Sequence, residues 1–224
     1  NADVDGAITG VTNLSVSGTS NLGADVTTTG TQTYTGAVTL GTDVNLSASN
    51  SDITFAAAIT GSGKDLTVST GSGAITLANV GTSVASLGDV VLNSSGATTL
   101  GGSVYAASLE TDSSGTGSGT IAINGGLVQT TGNQTYREAI TLGANTTLAG
   151  STINTGSTLA GGNNSLTITG NADVDGAITD VTNLSVSGTS NLGADVTTTG
   201  TQTYTGAVTL SGADRTLSTT NSQI

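Results

Sequence analysis

The chain has 224 residues, a formal net charge of −12 and no Cys, His, Pro, Met or Trp. The absence of Cys excludes disulfides and thiolate metal sites, and the absence of His and Cys removes the commonest general base and the commonest thiol nucleophile. Fifteen acidic residues against three basic ones repel nucleic acid and anionic membranes, and no apolar run approaches the roughly 20 residues of a membrane helix. Ser and Thr make up about a third of the chain, beside 34 Gly. With no Met and no signal-peptide pattern at its start, the chain is expected to be a mature product or a segment of something longer.

In chain order, apolar residues come in short alternating bursts. They are Leu14-Ser15-Val16, Val44-Asn45-Leu46, Ile53-Thr54-Phe55, Leu66-Thr67-Val68, Ile75-Thr76-Leu77, Ile121-Ala122-Ile123 and Leu166-Thr167-Ile168. Period-two alternation with β-branched residues predicts half-buried strands of three to five residues. Gly, Asn, Asp and Ser punctuate the bursts, as at Gly18, Gly30, Gly61, Gly96, Gly132 and Gly170. No segment keeps a helical period for more than a turn, so the chain is predicted to be all β.

Residues 1–40 return at 171–210 with one change, Gly10 becoming Asp180. This offset of 170 divides the chain into one full unit, 1–170, and the start of the next, 171–224. A finer repeat lies inside the unit. GTQTYTGAVTLG (30–41) recurs as GNQTYREAITLG (132–143) and as GTQTYTGAVTLS (200–211). Many gaps in the series Leu14, Leu46, Leu66, Leu92, Leu109, Leu148, Leu166 and Leu184 are 17 to 20 residues, and the wider ones read as inserted turns or missed coils.

Coils of roughly 20 residues with three short strands and polar corners predict a parallel β-solenoid, expected to be a right-handed β-helix of roughly 11 coils and about 50 Å. Apolar residues would fill a narrow bore, which accounts for the scarcity of aromatics. Proline would be missing because nearly every strand N–H bonds to a neighbouring coil. The alternative is a string of immunoglobulin-like sandwiches, but these use longer strands and commonly a core Trp or Tyr in each domain.

The texture resembles the repeat regions of filamentous-haemagglutinin-like and autotransporter-type bacterial surface adhesins. The matching stretches are ASLGDVVLNSSGATTLGG (85–102), AASLETDSSGTGSGTIAINGG (106–126) and TTGNQTYREAITLGANTTL (130–148). The resemblance implies an exported, cell-surface β-helical fibre, without catalytic residues in the repeats.

Several residues are candidate sites. Asp3-Val4-Asp5-Gly6, repeated at Asp173-Val174-Asp175-Gly176, looks like half of a calcium loop, but the twelfth position from Asp3 is Leu14, where an EF-hand needs Glu. A polar turn is expected there. Arg137-Glu138 and Glu110 are the other charges that could suggest catalysis, and they are expected to lie on a surface turn. The recurring Tyr34, Tyr136 and Tyr204 could be sugar platforms, but are expected to pack with their hydroxyls at the surface. Thr triplets such as Thr27-Thr28-Thr29 and Thr31-Gln32-Thr33 are too intermittent for an ice-binding array. Asn13 and Asn93 head N-x-S/T triplets of the kind expected by chance in such a composition.

The sequence therefore leads to no catalytic, cofactor or metal residues and to an extracellular structural segment of a surface fibre or adhesin stalk. Its expected partners are further repeats of the same chain or end-to-end copies of it, with host or neighbouring cell surfaces or glycans in reach, and without nucleic acid or membrane insertion. The alternatives are a self-assembling matrix or sheath filament and a β-helical carbohydrate-active enzyme.

Overall fold

A computed structural model of the chain describes residues 1–113, 118–220 and 222–224. Among the described residues there is no helix, and every pairing between named strands is parallel. The chain is a β-solenoid. Part of the 106–126 stretch, residues 114–117, lies outside the described residues.

Three columns of strands run along the axis. In the first, Ala2 pairs with Ser20, Ser20 with Val38 and Val38 with Ile59, then Val80, Val104, Val128, Leu148, Ile168, Val186 and Tyr204 follow. The second begins at Ile8–Val11 and Val26–Thr28 and ends at Ser190–Leu192 and Val208–Leu210. The third stacks Leu14, Gln32, Ile53, Ile75, Thr98, Ile121, Ile140, Leu159, Ile178, Val196 and Leu217. That is eleven rungs, or about 50 Å of axis at roughly 4.8 Å each.

Strand burial alternates with the pleat. Val38–Leu40, Val44–Ala48 and Ile75–Leu77 each bury every second side chain in the bore. In places, like residues stack on like along the axis. Tyr34 sits on Phe55 with ring centroids 4.9 Å apart and planes at 9°, the separation that the rung spacing imposes. Neighbouring rungs are offset by 18 residues where corners are tight and by 24 where they are not. One insertion, 81–88 between the first and second columns, accounts for part of the difference.

Three strands are longer than the alternation predicts: Thr146–Thr155, Leu159–Val174 and Ile178–Val186. They run through corners, because the corner residues stay paired to the neighbouring coil: Thr152 with Asn171 and Asn164 with Val181. Leu159–Val174 crosses the 170/171 boundary of the sequence unit, so the solenoid is continuous there.

The corners are held axially by Asn and Asp. Asn13 Oδ1 accepts the Thr31 N–H at 2.9 Å, Asp25 Oδ1 that of Asn45 at 2.8 Å, Asp65 Oδ1 that of Asp89 at 2.7 Å and Asn145 Oδ1 that of Ser165 at 2.9 Å. Each side chain extends the backbone ladder through a turn that the strands cannot bridge. Glycine fits where corners stack closely: a Cβ on Gly36 would lie 2.4 Å from the Gly18 carbonyl oxygen, and one on Gly206 would lie 2.4 Å from that of Gly188.

The two copies of the 40-residue block fold alike locally. Asn1 accepts the Thr19 N–H at 3.1 Å and Asn171 that of Thr189 at 3.0 Å, while Asn21 donates to Asp3 and Asn191 to Asp173, both at 2.8 Å. Gly10 and Asp180 both adopt positive φ, 73° and 55°, at an exposed irregularity where the strands Ile8–Val11 and Ile178–Val186 shift register. Asp tolerates that conformation because its short polar side chain bonds locally, here with the Thr179 hydroxyl. Yet the copies occupy different faces. Ala2 stands in the first column and Ala172 in the second, paired with Ile153 and Ser190. The 170-residue unit therefore spans eight turns plus one face.

Candidate functional site

The three Tyr motifs show the same face shift. Gln32–Tyr34 lies in the third column, Gln134–Tyr136 in the second and Gln202–Tyr204 in the first. Each forms the same buried device. Gln134 Nε2 donates to the Val128 carbonyl at 3.1 Å and the Ala149 carbonyl at 2.8 Å, and Tyr136 Oη donates to Gln134 Oε1 at 2.8 Å. Gln32 serves Val26, Ser47 and Tyr34 in the same way, and Gln202 serves Val196, Ser218 and Tyr204. The Thr four and the Gly two residues before the Gln belong to it, since Thr28, Thr130 and Thr198 donate to Gly30, Gly132 and Gly200. Tyr34 and Tyr136 are fully buried, so their hydroxyls point inward, against the expectation of a surface hydroxyl. The reason is the Gln, which supplies a buried acceptor and removes the cost of an unpaired phenol. Burial pushes all three phenols up, Tyr204 to about 12.

The charges around Arg137 are also arranged differently from the sequence expectation. Arg137 and Glu110 form an ion pair on the surface, with side chains 37% and 36% exposed. Such a pair contributes about 0–1 kcal/mol. Glu138, expected on a surface turn, is fully buried; its Oε2 accepts the Thr111 hydroxyl and its Oε1 has no partner. Glu138 begins the corner into Ala139–Leu142, where the alternation turns its side chain inward against Thr111. Desolvation pushes its carboxyl up, and the charge of buried Asp112 adds to this. No pattern in the sequence marks this burial, because the corresponding positions of the other copies are Gly36 and Gly206.

The remaining candidates serve the stack. Asp3 and Asp173 accept from Asn side chains, Asp173 from both Asn154 and Asn191. Among the described residues no group of three or more His, Cys, Asp or Glu is placed to hold a metal ion. Asn13 and Asn93 both accept a backbone N–H of the next coil. The Thr triplets do not form two parallel rows, because each middle residue points into the bore, as Thr28 and Gln32 do. What the fold aligns instead is a single outward row on the third column: Ser15, Thr33, Thr54, Thr76, Thr99, Ala122, Thr141, Ala160, Thr179, Thr197 and Ser218.

A cleft of about 350 Å³ lies where segment 81–88 leaves the first column beside Tyr105. Comparison with protein-family models, with curated proteins and with solved structures finds no match.

Proposed function

We propose that this chain is a structural segment of an extracellular bacterial surface fibre or adhesin stalk, performing no chemistry of its own. The observation that carries this reading is the indifference of the repeat to face. Identical sequence makes identical hydrogen bonds in the first, second or third column, so what the repeat preserves is the contact between rungs. A rod whose rungs are joined through strands, corners and buried Gln side chains carries load along its axis. The acidic outer charge keeps such rods apart and soluble.

The partner proposed is more of the same solenoid, stacked axially. Val208 and Leu210 in the last coil are 42% and 56% exposed, whereas Val38 and Leu40, their counterparts in the first copy, are buried beneath the coil that follows. A further coil or a second copy would bury them. Immunogold labelling of intact cells with an antibody raised against this chain tests the location, and imaging of the native protein tests the shape. Label on unpermeabilised cells and rods with a rung spacing of about 4.8 Å support the reading. Label that appears only after permeabilisation, or compact particles, overturns it.

A further inference from the structure

Four of the five aromatic side chains point into the bore, and Tyr105 is the exception. Val104 and Ala106 on either side of it are 0% and 1% exposed, which turns Tyr105 outward. Directly below it in the column, after Val80, the chain leaves the coil for segment 81–88. Gly81 makes the departure possible. Its φ is +63°, and a Cβ there would lie 2.3 Å from the Tyr105 carbonyl oxygen.

The segment is a built structure. Thr82 and Ala85 exchange backbone hydrogen bonds of 3.1 Å in a tight turn with Ser83 and Val84 at its tip. Leu87 returns to the core at 1% exposure, and its N–H donates to the Tyr105 carbonyl at 3.0 Å. Tyr105 is thus clamped by backbone bonds on both sides, its own N–H donating to Val80 at 2.8 Å. The turn stands over the first column and makes Tyr105 a wall shared by two clefts. The larger is lined by Asn79, Thr82, Ser83, Ser103 and Ala58, and the smaller adds Ser86, Gln129 and Thr131.

We propose that this cleft binds a neutral saccharide. An outward, preorganised aromatic face presents an apolar platform for one face of a sugar ring. Amides and hydroxyls around it supply donors and acceptors for sugar hydroxyls, and the lining carries no charged side chain to select an ion. The larger cleft is within the range of about 300–1,000 Å³ typical of small-molecule sites. A peptide fits less well, because the turn offers no extended free edge and the lining has little apolar depth. The residues occur once, in the segment between the two copies of the block, as a site does and a stacking device does not. This proposal is independent of the mechanical reading above, since a rod without the cleft would still be a rod.

Isotope-labelled chain is titrated with tetrasaccharides of glucose, galactose, mannose and N-acetylglucosamine, and with a proline-rich peptide, while amide shifts are followed. One or more sugars are expected to perturb residues 79–86, 103–106 and 129–131 with a dissociation constant of about 1 mM or below. Tyr105→Ala is expected to weaken binding by about tenfold or more, and Tyr105→Phe to change it by less than about threefold, because the ring is kept. Thr76→Ala, on the third column, should bind as the parent does. Unchanged melting of Tyr105→Ala establishes that the rod is intact. No sugar-induced shifts up to about 20 mM, equal binding by Tyr105→Ala, shifts confined to another face, or binding of the peptide alone would each overturn the proposal.

Discussion

Replacing Gln134 by Met keeps the volume of the side chain and removes all of its hydrogen bonds, so it isolates what the buried Gln does. The Thr130 hydroxyl still donates to the Gly132 carbonyl at 2.9 Å, and it loses little. The Ala149 carbonyl loses a 2.8 Å partner and the Tyr136 hydroxyl loses its acceptor. Both Gln134 and Tyr136 are fully buried, so water cannot replace the lost bonds. At about 1–3 kcal/mol for each buried polar group left unpaired, these two groups alone give an expected loss of about 2–6 kcal/mol. No cavity contributes, because Met fills the same space. Urea denaturation followed by circular dichroism measures the loss. The cycle with Tyr136→Phe tests the cause: deleting the orphaned hydroxyl should return about 1–2 kcal/mol to the Gln134→Met variant. Gln202→Met, in the last coil where Tyr204 is partly exposed, should cost less than Gln134→Met. The reasoning fails if Gln134→Met stays within about 0.5 kcal/mol of the parent, or if Tyr136→Phe adds to the damage instead of relieving it.

Thr98 stacks between Ile75 and Ile121 with an unpartnered hydroxyl, so Thr98→Val should stabilise the chain by about 1 kcal/mol, read as a higher melting temperature. Glu138 should make stability fall as pH rises. Its folded carboxyl value is raised by desolvation, so the folded state holds the proton longer than the unfolded chain, whose Glu titrates near about 4.3. Glu138→Gln should flatten the melting temperature between mildly acidic and neutral pH and raise it at pH 7; an unchanged profile would remove Glu138 as the cause. The buried phenols give the same sign at high pH. With Tyr204 raised to about 12 and Tyr34 and Tyr136 raised further, stability should decline above the ordinary phenol value of about 10. Ultraviolet titration should then show tyrosinate absorbance from these residues appearing together with loss of the β signal.

The sequence made the fold legible because strand alternation and the absence of Pro act at every rung. It was less informative where position depends on counting turns. The leucine series looks irregular because it changes face. Leu46, Leu66, Leu92 and Leu109 stand in the second column, and Leu148, Leu166 and Leu184 in the first. The wide gap from Leu109 to Leu148 is that change, and the gap from Leu66 to Leu92 contains segment 81–88. The same limit hid the outward Thr row, whose members sit 18 to 23 residues apart within short words such as Ile53-Thr54-Phe55 and Ile75-Thr76-Leu77. The outward face of Tyr105 is hidden in the sequence for a related reason. Whether a lone Tyr faces the bore or the solvent depends on the parity of one strand, and here Val104 and Ala106 decide it.

That the unit is not a whole number of turns bears on how the surface can be used. If successive units continue in the same register, each rises about 40 Å and advances by one face, so a given outward residue returns to the same face only after three units, about 120 Å. An array that must present one motif densely on one side, as an ice-binding surface must, needs units of whole turns. This repeat spreads its outward residues around the rod, while pairs inside the copied block, such as Leu14 on Gln32 and Leu184 on Gln202, are the same on whichever face they fall. Selection acting on such a repeat would see stacking. Recognition is then better placed where the repeat is interrupted, and in the first column the chain leaves the coil at 81–88, against Tyr105. The rod and the cleft thus place opposite demands on the sequence: sameness at every rung for the first, and a single departure, made possible by Gly81 and anchored by Leu87, for the second.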